Sequence, residues 1–475
     1  MRFLQVAAFS IIGFLILLSA RPVSGATSPK KPFRMNVKKG WVIQRDENQK
    51  ESRFFAIGNW HVPGYTFTDK PETDRESELK NEQNFRERTA PVNMVFVSPG
   101  QQKEYMAEKI HVMNPFSAVL HNYLDRIPGL QAGNDKDYYR SQYIKKAYRQ
   151  PEFIQYLDSQ MVKLLANRTN DKLIYSHIDE IALGGVSRWT VPPATGAIIT
   201  ERLKRHDRDA LVFVDLLGHA RGSAYLFEKR YLQSHKALPH EPPYDLIDLE
   251  ALKCKLPLLG FFQAYEGTPV YDFKDGNYSY KNHSPEFLKT IWAENLRITA
   301  RDYRRCGDVF GINAFRDFYA YPELAGITVD ALREGLGDRV PLWIYFDGNG
   351  YARPAGVTPE AYLKSVECQI YTAIVHGATG ILFWNDWAKT PEVYEQLLPI
   401  LAKLKQRLDV VKMNTCQTIV EGHTHLLIKG NRKGEKHVIA TNTSQTDTLQ
   451  IRLPGGQTLS LAPLEVYFGN SSSTR

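Results

Sequence analysis

Eight short apolar runs alternate with long amphipathic stretches between about residues 54 and 409, and the texture changes abruptly after Met413. Together these features predict an α/β chain made of a (β/α)8 TIM barrel followed by a small C-terminal antiparallel β-sandwich domain. The strand candidates are Phe54–Trp60, Asn93–Ser98, Leu173–Asp179, Leu211–Leu217, Leu258–Ala264, Val309–Phe315, Leu342–Asp347 and Gly380–Asp386. Most are near-continuous apolar runs, as parallel strands covered on both faces require. The stretch 99–172 is long, and Lys109–Pro115 is a candidate for a ninth strand or for the true third. A doubly wound open sheet would carry a glycine-rich phosphate turn after its first strand. Here that strand runs into Gly58-Asn59-Trp60-His61-Val62-Pro63-Gly64, which has no G-x-G-x-x-G spacing.

The connecting stretches read as helices. Ser284-Pro285-Glu286 and Thr358-Pro359-Glu360 each place a hydroxyl N-cap before a proline at the first helical position, and the second helix stops at Gly377. Glu392–Val411 carries Leu397, Leu398, Ile400, Leu401, Leu404 and Leu408 at helical spacing. Beyond Met413 the runs Thr418–Val420, Leu426–Lys429, His437–Thr441, Leu449–Leu453 and Leu464–Phe468 are short and separated by turn residues. The expected layout is a signal peptide at 1–26, a barrel at 27–411, a β-sandwich at 412–470 and a disordered tail at 471–475.

Composition adds boundaries. The 475 residues are 43% hydrophobic, 12% aromatic and 24% charged, the proportions of an ordinary globular chain. Arg2, the apolar stretch Ile11–Leu18 and Ser24-Gly25-Ala26 form the n-region, core and cleavage site of a secretory signal, which implies a periplasmic or secreted protein with no membrane span after cleavage. The formal charge of +8 falls to +6 without that segment, since it carries Arg2 and Arg21 and no acid. Basic residues are scattered rather than striped with aromatics, so nucleic acid is not an expected partner. Cys254, Cys306, Cys368 and Cys416 show no paired spacing, and the histidines form no H-E-x-x-H, so neither a metal nor a cofactor is expected. Buried thiols, or one bridge, are the expectation for the cysteines.

In such a barrel the active site forms at the carboxyl ends of the strands. Those ends carry Trp60 and His61; His177, Asp179 and Glu180; Asp215; Tyr265 and Glu266; Asn313 and Arg316; Asp347 and Asn349; and Trp384, Asn385, Asp386 and Trp387. Carboxylates, amides and aromatics suit a sugar, whose C–H face stacks on rings while its hydroxyls need hydrogen-bonding partners. Two carboxylates flanking one glycosidic bond can hydrolyse it. Asp179-Glu180 is the sharpest signal, because adjacent carboxylates beside an apolar strand favour a retained proton, as a general acid needs. Glu180 is therefore the candidate proton donor, against a plain helix N-terminus, where acids are common. Glu266 and Asp347 are candidates for the second carboxylate, against a solvated loop acid and a turn residue respectively. The others would bind substrate. Few cations lie at these ends, so a neutral glycan is the expected ligand, and the oligomeric state is left open.

At Phe54-Phe55-Ala56-Ile57-Gly58-Asn59-Trp60 and at Ala373-Ile374-Val375-His376-Gly377-Ala378-Thr379-Gly380-Ile381-Leu382-Phe383-Trp384, the chain resembles the (β/α)8-barrel glycoside hydrolases of the superfamily that includes β-galactosidases and cellulases. The resemblance implies a glycosidase, with Glu180 as acid/base and an acid after the seventh strand as nucleophile. That superfamily presents Asn-Glu and a Glu at these two places, where this chain has Asp179-Glu180 and Asp347. The Asp-Glu pair is similar instead to β-hexosaminidase-like barrels, in which Glu180 would be the acid and Asp179 would orient a substrate acetamide. A non-catalytic carbohydrate-binding protein on a degenerate barrel is the alternative, with Trp60, Trp384 and Trp387 as its working residues.

Overall fold

The computed structural model describes residues 33–46, 48–60, 75–97, 104–128, 130, 140, 143–144, 146–166, 171–177, 181, 191–217, 285–313, 319, 321–350, 353–384, 391–453 and 456–470. The signal-peptide segment, the tail, Cys254 and the run Leu258–Ala264 lie outside them.

The described chain opens with an antiparallel meander, β1 (Arg34–Lys38), β2 (Trp41–Arg45) and β3 (Glu51–Phe54), within the stretch expected to belong to the barrel. β1 alternates exposed polar residues with covered apolar ones, whereas the adjacent Val42 and Ile43 on β2 are both buried. Lys39 and Gly40 both adopt left-handed backbone (φ 52° and 76°), the requirement of the tight hairpin turn whose twist matches its strands. The Gly40 N–H donates to Arg339 O at 3.2 Å and ties the hairpin tip to the foot of the next structure.

That structure is a closed, eight-stranded, all-parallel barrel: β4 (Ala56–Asn59), β5 (Met94–Val97), β6 (Ile110–Met113), β7 (Leu173–Ser176), β8 (Leu211–Leu217), β9 (Val309–Asn313), β10 (Leu342–Asp347) and β11 (Gly380–Trp384), with β11 pairing back onto β4. Around it run α1 (Arg75–Arg88), α2 (Phe116–Leu124), α3 (Pro151–Ala166), α4 (Pro193–His206), α5 (Pro285–Tyr303), α6 (Leu324–Leu336), α7 (Pro359–Val375) and α8 (Pro391–Gln406). The third barrel strand is Ile110–Met113, inside the Lys109–Pro115 run. β8 pairs directly with β9, so the eight described strands close the ring among themselves. The expected strand Leu258–Ala264 lies outside the described residues.

Inward positions make two kinds of layer. Phe213 stacks on Trp343 with centroids 5.3 Å apart, and three inward glycines make room for such rings. A Cβ on Gly311 would lie 2.6 Å from the Phe213 ring, one on Gly380 would meet Trp343 and come within 2.7 Å of Ala56 Cβ, and one on Gly58 would lie 2.5 Å from both Leu382 and Met94. The outward strand residues, among them Tyr175, Val212, Phe310, Ile344 and Phe383, join the helices in the larger core cluster.

The C-terminal region is a four-stranded antiparallel sheet, built from β12 (Asn414–Glu421), β13 (Thr424–Gly430), β14 (Lys436–Asn442) and, after a hairpin of β15 (Leu449–Arg452) and β16 (Thr458–Leu461), β17 (Val466–Asn470). Leu426, Ile428, Val438 and Ala440 face that hairpin, packing with Ile451, Leu453 and Leu461. The alternate residues Leu427 and Ile439 join the barrel's outer core instead. Thr372 and Thr441 share a 3.0 Å hydrogen bond, and Cys368 Sγ donates to Asn442 O at 3.4 Å, so β14 is docked on α7. Cys306 and Cys368 are buried, and Cys416 is exposed. Among the described residues no helix is long and apolar enough to cross a membrane.

Because Gly380 has no room for a methyl group, Gly380→Ala is expected to destabilise the fold by about 1–3 kcal/mol, the usual cost of overpacking, read as a lower urea midpoint with the slope unchanged. An unchanged midpoint would show that Trp343 can move aside freely.

Candidate functional site

Strand alternation decides which side chains reach the barrel interior. On β8 the inward residues are Leu211, Phe213 and Asp215; on β10 they are Trp343, Tyr345 and Asp347; on β11 they are Gly380, Leu382 and Trp384. The stacked Phe213 and Trp343 share a level. Two residues further on come Asp215 and Tyr345, and Asp347 stands one inward position above them.

Beneath Asp347, and level with Asp215 at Tyr345, lies a floor of rings. Trp60, half-buried at the end of β4, packs on Phe96 (4.3 Å between centroids) and approaches Tyr345 (6.3 Å). Phe96 and Tyr345 each reach Phe213, at 6.1 and 6.4 Å. These ring contacts give the cup at the carboxyl end of the barrel an aromatic base. Asp215 and Asp347 sit at its wall, each only 1% exposed.

Asp347 is held from two sides. The Tyr362 hydroxyl, from the first turn of α7, donates to Oδ2 at 2.6 Å, and the Asn349 N–H donates to Oδ1 at 3.1 Å. The second bond is the turn chemistry that an Asp two residues before Asn349 favours; the first is not. Burial and the neighbouring Asp347 charge push the Tyr362 phenol well above its ordinary range, which keeps it a proton donor to the carboxylate. Tyr362 is itself positioned by a stacked Tyr319 at 5.4 Å. In register, Asp347 is the partner of Trp384 on β11, which sets a carboxylate beside an indole at the rim. Asn349 is buried at the same rim.

His177 takes a different place. It follows Leu173 and Tyr175 on the outward side of its strand, where Nε2 donates to Gly196 O at 3.1 Å and the ring packs 5.3 Å from Phe116. It therefore faces α2 and α4 rather than the cup. Complete burial holds its imidazole down to about 4, so it is neutral at pH 7. Asn313 ends β9, whose backbone borders the cup between β8 and β10. His61, Asp179, Glu180, Tyr265, Glu266, Arg316, Asn385, Asp386 and Trp387 lie outside the described residues. Among the described residues no group of three or more His, Cys, Asp or Glu side chains is placed to hold a metal ion.

Sequence reasoning missed Tyr362 and the ring floor. Counting alternate positions down from Asp215 and Asp347 would have found Phe213, Tyr345 and Trp343. Tyr362 left no comparable signal, because it acts from the helix after the strand.

No protein-family model and no curated protein matches the chain. Among solved structures it is similar to the cyclic alpha-maltosyl-(1-->6)-maltose hydrolase from Arthrobacter globiformis, at 8% identity over 88% of this chain and 98% of that one, with a TM-score of 0.42. It is similar to Eubacterium rectale Amy13B at 7% identity, covering 84% of this chain and 88% of that one (TM-score 0.43). A GH27 b-L-arabinopyranosidase from Geobacillus stearothermophilus shares 11% identity over 77% and 75% of the two chains (TM-score 0.38). At this remoteness a neighbour's substrate does not transfer to this chain.

Two outcomes follow from the site. Tyr362→Phe removes a hydrogen bond to a buried carboxylate and is expected to cost about 1–3 kcal/mol of stability, checked by urea unfolding at pH 7; an unchanged midpoint would mean that Asp347 does not depend on the phenol. For His177 the folded value lies below the ordinary 6.5, so protonation favours the unfolded chain. Its contribution is complete above about pH 6.5 and is lost as the pH falls towards 4, at most about 3 kcal/mol. Stability should decline over that window, and the decline should be shallower in His177→Gln; equal slopes would contradict the assignment.

Proposed function

We propose that the protein hydrolyses O-glycosidic bonds of a neutral poly- or oligosaccharide in the cup at the carboxyl end of its barrel, after export from the cell that makes it. The observation that carries this reading is the pair of buried inward carboxylates, Asp215 and Asp347, set over an aromatic floor and beside Trp60 and Trp384. Rings of this kind stack on the apolar face of a pyranose. Acids at the wall meet the anomeric carbon as it gains positive charge in the transition state.

Glu180, which follows β7 in the chain and lies outside the described residues, is the proton donor to the leaving oxygen. Asp347 is the second carboxylate. Its two hydrogen bonds hold it in one orientation, which pre-pays part of the cost of aligning it with the sugar. Asp215, level with Tyr345, lies below it and completes the acidic wall; Asn349 and Trp384 border the same space. Glu266, Asp179 and the 385–387 segment belong to the same proposal as rim residues. Mainly acidic strand ends favour a neutral glycan, since a uronic acid or sulfated sugar would be repelled.

The test is a kinetic comparison on a panel of chromogenic glycosides and soluble glycans. Glu180→Gln and Asp347→Asn should each lower kcat by roughly 10²–10⁴ while the sugar still binds, as expected for loss of acid–base or charge-stabilising groups. The first-formed anomer, read by NMR, reports the spacing of the two carboxylates: about 5–5.5 Å gives retention and about 6.5–9.5 Å inversion. Undiminished turnover in both variants, or binding with no bond cleavage by the wild type on every glycan tried, would overturn the proposal.

A further inference from the structure

The opposite, amino-terminal face of the barrel carries a cavity of about 150 Å³ between the β1–β2 hairpin, the foot of α6 and the β-sheet region. Four cations line it: Lys39 at the hairpin tip, Arg53 on β3, Arg333 on α6 and Lys429 on β13, against one acid, Asp338. They come from four separate segments of chain. Each is exported to this spot by a different element, and each buried donor it uses is spent on a neutral oxygen.

Arg53 donates to Lys412 O at 2.6 Å and to Asn414 Oδ1 at 2.7 Å, with its guanidinium 5.2 Å above the Trp41 ring. Lys429 Nζ donates to Thr415 Oγ1 at 3.1 Å and to Met413 O at 3.3 Å. Arg333 donates to Val340 O at 2.6 Å and to Gly337 O and Gly377 O at 3.3 Å. Among the described residues none of the four cations forms an ion pair. Lys429 is only 5% exposed. A buried ammonium held by one carbonyl and one hydroxyl is unusual, since buried charges are normally paired. Burial, with Arg53 nearby, brings the Lys429 ammonium down to about 8, while Asp338 and Asp330 offset part of the charge of Arg333.

We propose that this cavity binds a tetrahedral oxyanion, a phosphate or sulfate group, through Lys39, Arg53, Arg333 and Lys429. Donors converging from four segments suit a tetrahedral anion better than a planar carboxylate, which one guanidinium saturates. The volume admits such a group with a water or two and excludes an oligosaccharide. The site lies on the face away from the cup, so it is independent of the reading of the active site.

The experiment is calorimetric titration of the full-length mature protein at low ionic strength with sodium phosphate, sodium sulfate and glucose 6-phosphate, with sodium chloride at matched ionic strength as the reference. Saturable binding of phosphate or sulfate, absent with chloride, is expected. Lys429→Met should weaken it by at least about tenfold, the usual scale for removing one partner of a buried charge-assisted contact. Lys39→Asn, an exposed change that keeps a residue tolerant of the left-handed turn, should weaken it less and leave the melting temperature unchanged. Glucose 6-phosphate binding as tightly as phosphate assigns the site to esters as well; its exclusion assigns the free ion. Binding no stronger than chloride, or affinities unchanged in both variants, would overturn the proposal.

Discussion

The closed barrel depends on one packing constraint: its largest inward side chains need room that glycines on neighbouring strands supply. Gly311 takes the Phe213 ring, Gly380 takes the Trp343 indole, and Gly58 takes Leu382 and Met94. If any of these glycines carried a side chain, the rings would have to tilt or the strands separate, and a parallel barrel cannot open locally without breaking its hydrogen-bonded ring. Because the rings fit, they form a solid plug. The acids at the carboxyl end of the barrel therefore stand beside an aromatic base.

From that constraint the placement of the acids follows. Asp215 and Asp347 continue the inward rows that carry Phe213 and Tyr345, so strand period alone lifts them above the floor. The helix after β10 then adds what the strand cannot: Tyr362, anchored by Tyr319, reaches back to orient Asp347. The amino-terminal face is assembled from different parts. There a hairpin, a helix end and the C-terminal sheet meet, and cations rather than rings converge. The two faces therefore differ in the charge they invite as well as in shape.

Much of this was legible in the chain. Seven of the eight apolar runs contain barrel strands, since continuous burial on both faces leaves a continuous apolar signal. Ile110–Met113 was nearly hidden, being four residues long with His111 in its middle, and that histidine is buried outward with Nε2 on Met106 O. Leu258–Ala264 reads as a strand by the same criterion and lies outside the described residues, whose eight strands pair round to close the ring. The N-terminal meander alternates charges with apolar residues and reads as surface. At the site, Asp215 and Asp347 are legible because each is an acid set in an otherwise apolar strand. His177 looked equally promising there, yet its odd position relative to Ile174 and Ser176 turns it towards the helices. Tyr362 could not be read at all, because its partner lies fifteen residues back and the contact exists only once the helix has folded over the strand.

The central claim is that the cup cleaves the bond between an anomeric carbon and its glycosidic oxygen by adding water. The most direct measurement is digestion of a soluble glycan in ¹⁸O-labelled water, followed by mass spectrometry of the fragments against an enzyme-free control. One ¹⁸O per cleavage is expected, located on the new reducing end. Fragments without label, label on the non-reducing fragment, or no fragments from any glycan would contradict it.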